Sequence, residues 1–357
     1  MQSSISMAKS ASATDIFPHG DADDPLVHGG DLTAARRRFP GAPEPFIDLS
    51  TGINPNPYPV PLLPAEVFTR LPASGAVADL AALAAKFYGT PSAAHVVAAP
   101  GTQLLLPLVA GLVRPGRAAI LSPTYGEHAR TARLAGHSVT EVSEIGGLGD
   151  ADLAIVTNPN NPDGRLIERN YLLALAGRLR ARGGVLVVDE AFMDVGPSGT
   201  SLAGDVASGN IIVLRSFGKF FGLAGLRLGF ALLDRSLAAR LSAMLGPWAV
   251  SGPALAVGAA ALADTAWIEQ TRTRLAQSSR RLDAILAGAG LDVIGGTALF
   301  RLVRTQSATA LFHHLGRAGI LVRVFPDHAA WLRFGLPAHE ADWHRLEIAM
   351  AGFRDNA

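Results

Sequence analysis

Seven short runs in the middle of the chain, at 95–99, 118–121, 138–142, 153–157, 185–189, 211–216 and 228–232, are β-branched or apolar and alternate with stretches of helical pattern. That alternation predicts an α/β fold. Several of the runs are apolar throughout, as strands are when helices cover both faces of a largely parallel sheet. Ligands of such a sheet bind at the carboxyl ends of its strands. The residues that follow the runs are the chain's polar, turn-forming part: Pro100-Gly101-Thr102, Ser122-Pro123-Thr124-Tyr125, Asn158 to Gly164, Asp189-Glu190, and Ser216 to Lys219.

At 357 residues the chain has length for about two domains. An Arg-rich amphipathic helix at 265–287, a strand-like run at 298–303, a helix near 308–318 and a strand at 321–324 predict a second, smaller α+β unit. We therefore divide the chain into a tail (1–27), an amino-terminal arm that contributes to the substrate site (28–50), a large domain (51–245) and a small one (246–357). The tail is rich in Ser, Ala and Asp and has no apolar block, so it reads as disordered and not as a signal peptide. Residues 241–263 carry no charge and are numerous enough to cross a bilayer. Their bulk is Ala, Gly, Ser and Pro, interrupted by Pro247 and Pro253, which predicts a buried interdomain helix with a lead-in loop.

Composition narrows the function. A hydrophobic share of 49% with 17% charged residues excludes a mainly disordered chain. The formal charge of +1 offers no electrostatic pull toward nucleic acid or an acidic membrane, so a small-molecule site is expected, and separately the protein is expected to be cytoplasmic. With no cysteine, disulfides, thiolate nucleophiles and Cys-ligated zinc are excluded, and no metal site is expected. Lysine occurs only at Lys9, Lys86 and Lys219 among 31 basic residues. Arginine serves a surface as well as lysine but cannot become a nucleophilic amine, so Lys219, in an apolar stretch, invites a chemical explanation.

Familiar motifs fail. Gly218-Lys219 lacks the earlier glycine and the following Ser or Thr of a P-loop, and the glycines at 218, 222 and 225 do not make G-x-G-x-x-G. Neither G-x-S-x-G nor H-E-x-x-H occurs, and the adjacent pair His313-His314 would point about 100° apart on a helix. What remains is an ordered set at strand ends: Asn158-Pro159-Asn160-Asn161-Pro162-Asp163-Gly164, then Asp189-Glu190-Ala191-Phe192, then Ser216-Phe217-Gly218-Lys219 with Arg227 eight residues on. A carboxylate, an amide, an amine and a guanidinium at one sheet edge could hold a phosphorylated, nitrogen-containing ring.

With these motifs the chain resembles the fold-type I enzymes of the class I/II aminotransferase superfamily, which use pyridoxal 5'-phosphate, and the likeness runs from His28 onward. The resemblance implies a mostly parallel central sheet sandwiched by helices, plus a smaller α+β domain. It assigns Lys219 the covalent link to the cofactor aldehyde and Asp189 the pyridinium nitrogen. Asn161 is assigned the ring 3'-oxygen, and Gly101, Thr102, Gln103, Ser216 and Arg227 the cofactor phosphate. Tyr125 is expected to stack on the ring. These active sites are normally assembled between two subunits, so a homodimer is implied.

Within that superfamily the chain looks like the threonine-phosphate decarboxylases of cobalamin biosynthesis, close relatives of the histidinol-phosphate aminotransferases. The likeness rests on His28-Gly29-Gly30-Asp31 followed by Asp48-Leu49-Ser50 and Ile53-Asn54-Pro55, on Phe192 where many aminotransferases have tyrosine, and on Arg323 and Arg333. It implies a small phosphorylated amino-acid substrate held by His28, Gly29, Gly30, Asn54, Asn161, Arg323 and Arg333. A transaminase acting on histidinol phosphate and an inactive cofactor-binding regulator are the alternatives. Two departures stand out: Gly218 replaces the common serine before the lysine, and Leu71-Pro72 stands where relatives read Tyr-Pro, with Tyr58 a candidate substitute.

Overall fold

The computed structural model describes residues 28–353, and the expectations for 1–27 lie outside the described residues. An arm carries α1 (Leu32–Arg38) and β1 (Ile47–Leu49), after which α2 (Glu66–Thr69) and α3 (Ser74–Tyr88) lead into the main body. There β2 (Val96–Ala99), α4 (Thr102–Leu112), β3 (Arg117–Leu121), α5 (Glu127–Leu134), β4 (Ser138–Val142), β5 (Leu153–Thr157), α6 (Arg169–Arg180) and β6 (Val185–Asp189) follow in turn. The body closes with β7 (Ile211–Ser216), the single turn α7 (Phe217–Phe220) and β8 (Gly229–Leu232).

Strands β2 to β8 form one sheet in the order β2-β8-β7-β6-β5-β3-β4, with β8 antiparallel to both neighbours and the other pairs parallel. These are the runs read from sequence, four of them with the same bounds. Their unbroken apolar character has a direct cause. Successive residues of β5 enter different cores: Ala154 and Val156 pack on the side of Leu80 from α3 and Leu172 and Leu179 from α6, while Leu153 and Ile155 pack on the side of Leu105 and Val109 from α4 and Ala129 from α5. With both faces covered, each buried Val, Leu or Ile contributes about 1.5–3 kcal/mol, and polar residues are confined to the edge strand β4 and to the strand ends, apart from Arg215 paired with Glu190 and Asp194.

Two helices, α8 (Arg235–Leu245) and α9 (Gly252–Ala263), connect this body to the second unit. The uncharged span at 241–263 is thus split by a turn, and no helix of the described residues is long and apolar enough to cross a membrane. Helix α9 packs closely because Gly258 has no side chain; a Cβ there would lie 2.6 Å from Leu228 Cδ2. The second unit contains α10 (Thr265–Gly288), β9 (Asp292–Thr297), β10 (Phe300–Arg304), α11 (Ala308–Arg317), β11 (Ile320–Val324), β12 (Trp331–Phe334) and α12 (Glu340–Gly352). Its sheet runs β1-β11-β12-β10-β9. The arm's β1 therefore belongs to the second unit's sheet, parallel to β11 from Ile47↔Ile320 to Leu49↔Val322, a pairing that sequence reading did not foresee.

Candidate active site

The parallel strands deliver Ala99, Leu121, Thr157, Asp189 and Ser216 to a single edge, so the polar segments that follow them converge there. Reversal of β8 matters equally. Ser216 and Ala99 both pair with Gly229, the first residue of β8, so the segment before β8 arrives at the edge where β2 and β7 end. That segment supplies Arg227, which adopts a left-handed backbone at φ 55°.

Gly101 caps α4 with φ +84° and no side-chain cap, leaving the first N–H groups of the helix without intrahelical acceptors. A Cβ at Gly101 would lie 2.6 Å from Arg227 Nη2, so the guanidinium sits against the helix start, and a Cβ at Gly229 would lie 2.6 Å from the Thr102 nitrogen. Arg227 is steadied by donating from Nη1 to the Ala224 carbonyl (2.9 Å). A cation placed at the positive end of a helix is unfavourable until an anion lies between them. Ser216 stands beside this cradle at the end of β7. The serine missing at 218 has a steric reason: a Cβ there would approach the Ala224 Cα to 2.9 Å.

Lys219 lies on α7, whose backbone is propped by Asn54: the Asn54 N–H donates to the Lys219 carbonyl (2.9 Å) and its Nδ2 to the Phe220 carbonyl (2.8 Å). Burial pushes the Lys219 amine down to about 8, with Arg333 and Arg227 acting in the same direction and Asp189 opposing them. Below it is an apolar floor. The Lys219 Nζ is 5.8 Å from the Phe192 ring centroid, and a Cβ at Gly52 would come within 2.9 Å of both Phe192 and Phe300.

Asp189 is buried at the end of β6, where Oδ2 accepts from His128 Nε2 (3.0 Å) and Oδ1 from the Ala191 N–H (3.0 Å). Asn161 presents Oδ1 to Arg333 Nη1, while its Nδ2 has no partner among the described residues. Arg333 also donates from Nη2 to the Ser50 carbonyl (2.8 Å), and its buried Nε is unpartnered. Burial, with Arg323 nearby, disfavours the Arg333 charge. On antiparallel β11 and β12, Arg323 stands directly opposite Arg333. Like charges in that position repel, and at Arg333 the Asp48 carboxylate works against that repulsion.

Tyr125 donates to Gln103 Oε1 (2.9 Å), and its hydroxyl is pushed up to about 12 by burial and by Glu127 and Asp189. His28 is half-exposed and bonds through Nε2 to Glu127 Oε1 (3.2 Å), its ring 5.8 Å from that of Tyr125. Gly29 and Gly30 fold over Ser50: a Cβ at Gly29 would be 2.4 Å from the Ser50 carbonyl, and the Gly30 N–H donates to Ser50 Oγ (2.7 Å).

Two of the sequence candidates make structural contacts. Asn54 is buried, donating from Nδ2 to the Phe220 carbonyl and accepting at Oδ1 from the Asn56 N–H, so it also supports the lysine turn. Tyr58 is committed to the core, its hydroxyl on Asp264 and its ring edge-on to Trp267, which removes it as a substitute for the missing tyrosine at 71. His128 and Glu127 were not anticipated. No motif spacing links them to Asp189 or His28; only their place just after Tyr125, at a strand end, marks the segment.

A family model described as aminotransferase class I and II matches residues 63–345. Threonine-phosphate decarboxylases of Pseudomonas aeruginosa and of a Sinorhizobium species are each 46% identical to the chain, over 93% and 92% of it and 99% and 98% of their own lengths. Among solved structures, the histidinol-phosphate aminotransferase of Clostridium acetobutylicum superposes with a TM-score of 0.76 at 23% identity, covering 86% of this chain and 98% of that one.

Proposed function

The chain belongs to the class I and II aminotransferase family, and from that premise we propose that it binds pyridoxal 5'-phosphate and decarboxylates L-threonine O-3-phosphate to (R)-1-amino-2-propanol O-2-phosphate and carbon dioxide. The single observation that carries the substrate class is the register pairing of Arg323 with Arg333 beside the Lys219 amine. One anion cradle, at Gly101 and Arg227, takes the cofactor phosphate. The second basic group, Arg323 with Arg333, suits a substrate with acid groups of its own.

The residues fit the cofactor. Unfilled α4 N–H groups, Ser216 and the Arg227 guanidinium suit its phosphate, Asp189 its ring nitrogen, the unpartnered Asn161 Nδ2 its 3'-oxygen, and Tyr125 its ring face. Asp189 is fixed for that task by His128. When bound, the cofactor supplies an electron sink for the pair released at the substrate's α-carbon. Lys219, lowered to about 8, exchanges its proton near neutrality, so its Nζ would be able to serve as the amine that holds the cofactor and, once free, to return a proton to carbon. Selecting the carboxylate over the α-hydrogen would be a matter of orientation, with the arm on the substrate phosphate and Arg323 and Arg333 as the basic groups that would fix the substrate's anionic ends. Guanidinium forks suit both carboxylate and phosphate. A cytoplasmic homodimer is part of the same reading.

Purified protein incubated with threonine phosphate and no keto acid should release carbon dioxide and aminopropanol phosphate in equal amounts. Product formation that appears only with 2-oxoglutarate would replace this reading with transamination of a phosphorylated amine such as histidinol phosphate.

A further inference from the structure

Glu127 is a nearly fully buried carboxylate at the first turn of α5, and its oxygens are divided between two parts of the site. Oε1 accepts from His28 Nε2 on the arm (3.2 Å). Oε2 accepts from Gln103 Nε2 at the start of α4 (2.9 Å) and, more loosely, from Arg130 Nη1 of its own helix (3.4 Å). Gln103 in turn accepts from Tyr125. A buried charge is tolerated only when it is paired, and here the pairing ties the arm to the wall of the cofactor site.

Because a carboxylate only accepts, His28 Nε2 must donate to it. The ring's other nitrogen, Nδ1, has no partner among the described residues. We propose that Glu127 is a positioning residue for the substrate's phosphate: it holds the His28 ring by Nε2, provides the countercharge for an imidazolium, and so makes Nδ1–H a charge-assisted donor to an anion. The logic is that of a ligating histidine oriented by a carboxylate on its far nitrogen, with a phosphate in place of a metal. Other charged or titratable groups near the pair are Arg130 and His128 on α5, the Tyr125 hydroxyl, and Asp189, Arg323 and Arg227, which act on that hydroxyl. Arg130 bonds Glu127 and the Tyr125 hydroxyl bonds Gln103, neither of them His28.

This inference rests on the substrate being phosphorylated. Binding is measured by calorimetry on cofactor-loaded protein carrying Lys219→Ala, so that turnover does not intervene, with O-phospho-L-threonine and L-threonine as the two probes. Glu127→Gln should weaken phosphothreonine about tenfold, the scale of one charge-assisted hydrogen bond, and leave threonine within about twofold. Added to His28→Ala it should cost nothing further. Glu127→Asp, which keeps the charge but withdraws it from His28, should lose the same preference and serves if the glutamine variant does not fold. Equal weakening of both probes, or full additivity with His28→Ala, would reduce Glu127 to a structural strut and overturn the proposal. If the Lys219→Ala protein binds histidinol phosphate and not threonine phosphate, the functional reading fails, and the Glu127 proposal is then decided by the same ratio measured with histidinol phosphate and histidinol.

Discussion

Lys219 owes its reactivity to an environment that disfavours its ammonium form. Burial and the cations Arg333 and Arg227 outweigh Asp189, so the amine titrates at about 8 in the folded chain and near 10.5 when unfolded. The unfolded state therefore binds the extra proton between those values, and stability rises as pH climbs from about 8 to about 10.5. Below pH 8 the cost of holding the charge is fully present. Lys219→Met should accordingly raise the melting temperature of the apo-protein by a few degrees at pH 7, with the gain vanishing above about pH 10.5. Thermal scans of both proteins across that range check it; a gain independent of pH would mean that methionine merely packs better. Lys219 was legible in the sequence because the chain is so poor in lysine that one kept among apolar residues stands out. Glu127 and His128 were not, since their partners lie 99 and 61 positions away and only the folded sheet edge brings them together.

The helix start at Gly101 is the element on which phosphate binding turns. A methyl group there would meet the Arg227 guanidinium at 2.6 Å and would need a side chain at φ +84°. Gly101→Ala should therefore weaken pyridoxal 5'-phosphate binding to apo-protein at least about tenfold while leaving pyridoxal, which has no phosphate, little changed, and Arg227→Gln should do likewise. Fluorescence titration with both ligands measures the ratio; parallel losses would place the effect in general distortion of the edge. The large sheet could be read in advance because the faces of its central strands are buried and several of those strands are apolar almost throughout. The second sheet hid three strands. β1 is three residues long and finds its partner far along the chain at Ile320. β12 is short, and its Trp331-Leu332-Arg333-Phe334 was read for its charge. β9 passes through Gly295 and Gly296, poor strand formers that are needed because a Cβ at Gly295 would lie 2.0 Å from the Asp163 carbonyl, in the loop that carries Asn161.

At the scale of the molecule, the unsettled surface is apolar. Val60, Leu62, Phe68, Leu71, Met244 and Trp248 are all well exposed, Leu62 completely. They are not scattered. α2 lies against the start of α9, where a Cβ at Gly252 would be 2.1 Å from the Val67 carbonyl, and a Cβ at Gly111 on α4 would be 3.7 Å from Met244 Cε. The patch thus runs from 60–71 through the α8–α9 turn to the carboxyl-terminal end of α4. Trp248 holds a left-handed backbone at φ 59°, a strain that a bulky residue tolerates only where the surroundings fix it. An apolar area of this kind on a free chain is a liability, and a second copy related by a twofold axis would cover it on both partners at once. Leu62→Glu combined with Phe68→Glu should convert a particle of about twice the 37.1 kDa chain mass into one of that mass in analytical ultracentrifugation. A wild-type protein that sediments as a single chain at micromolar concentration would rule out the dimer, and a double variant that stays dimeric would move the interface to another face.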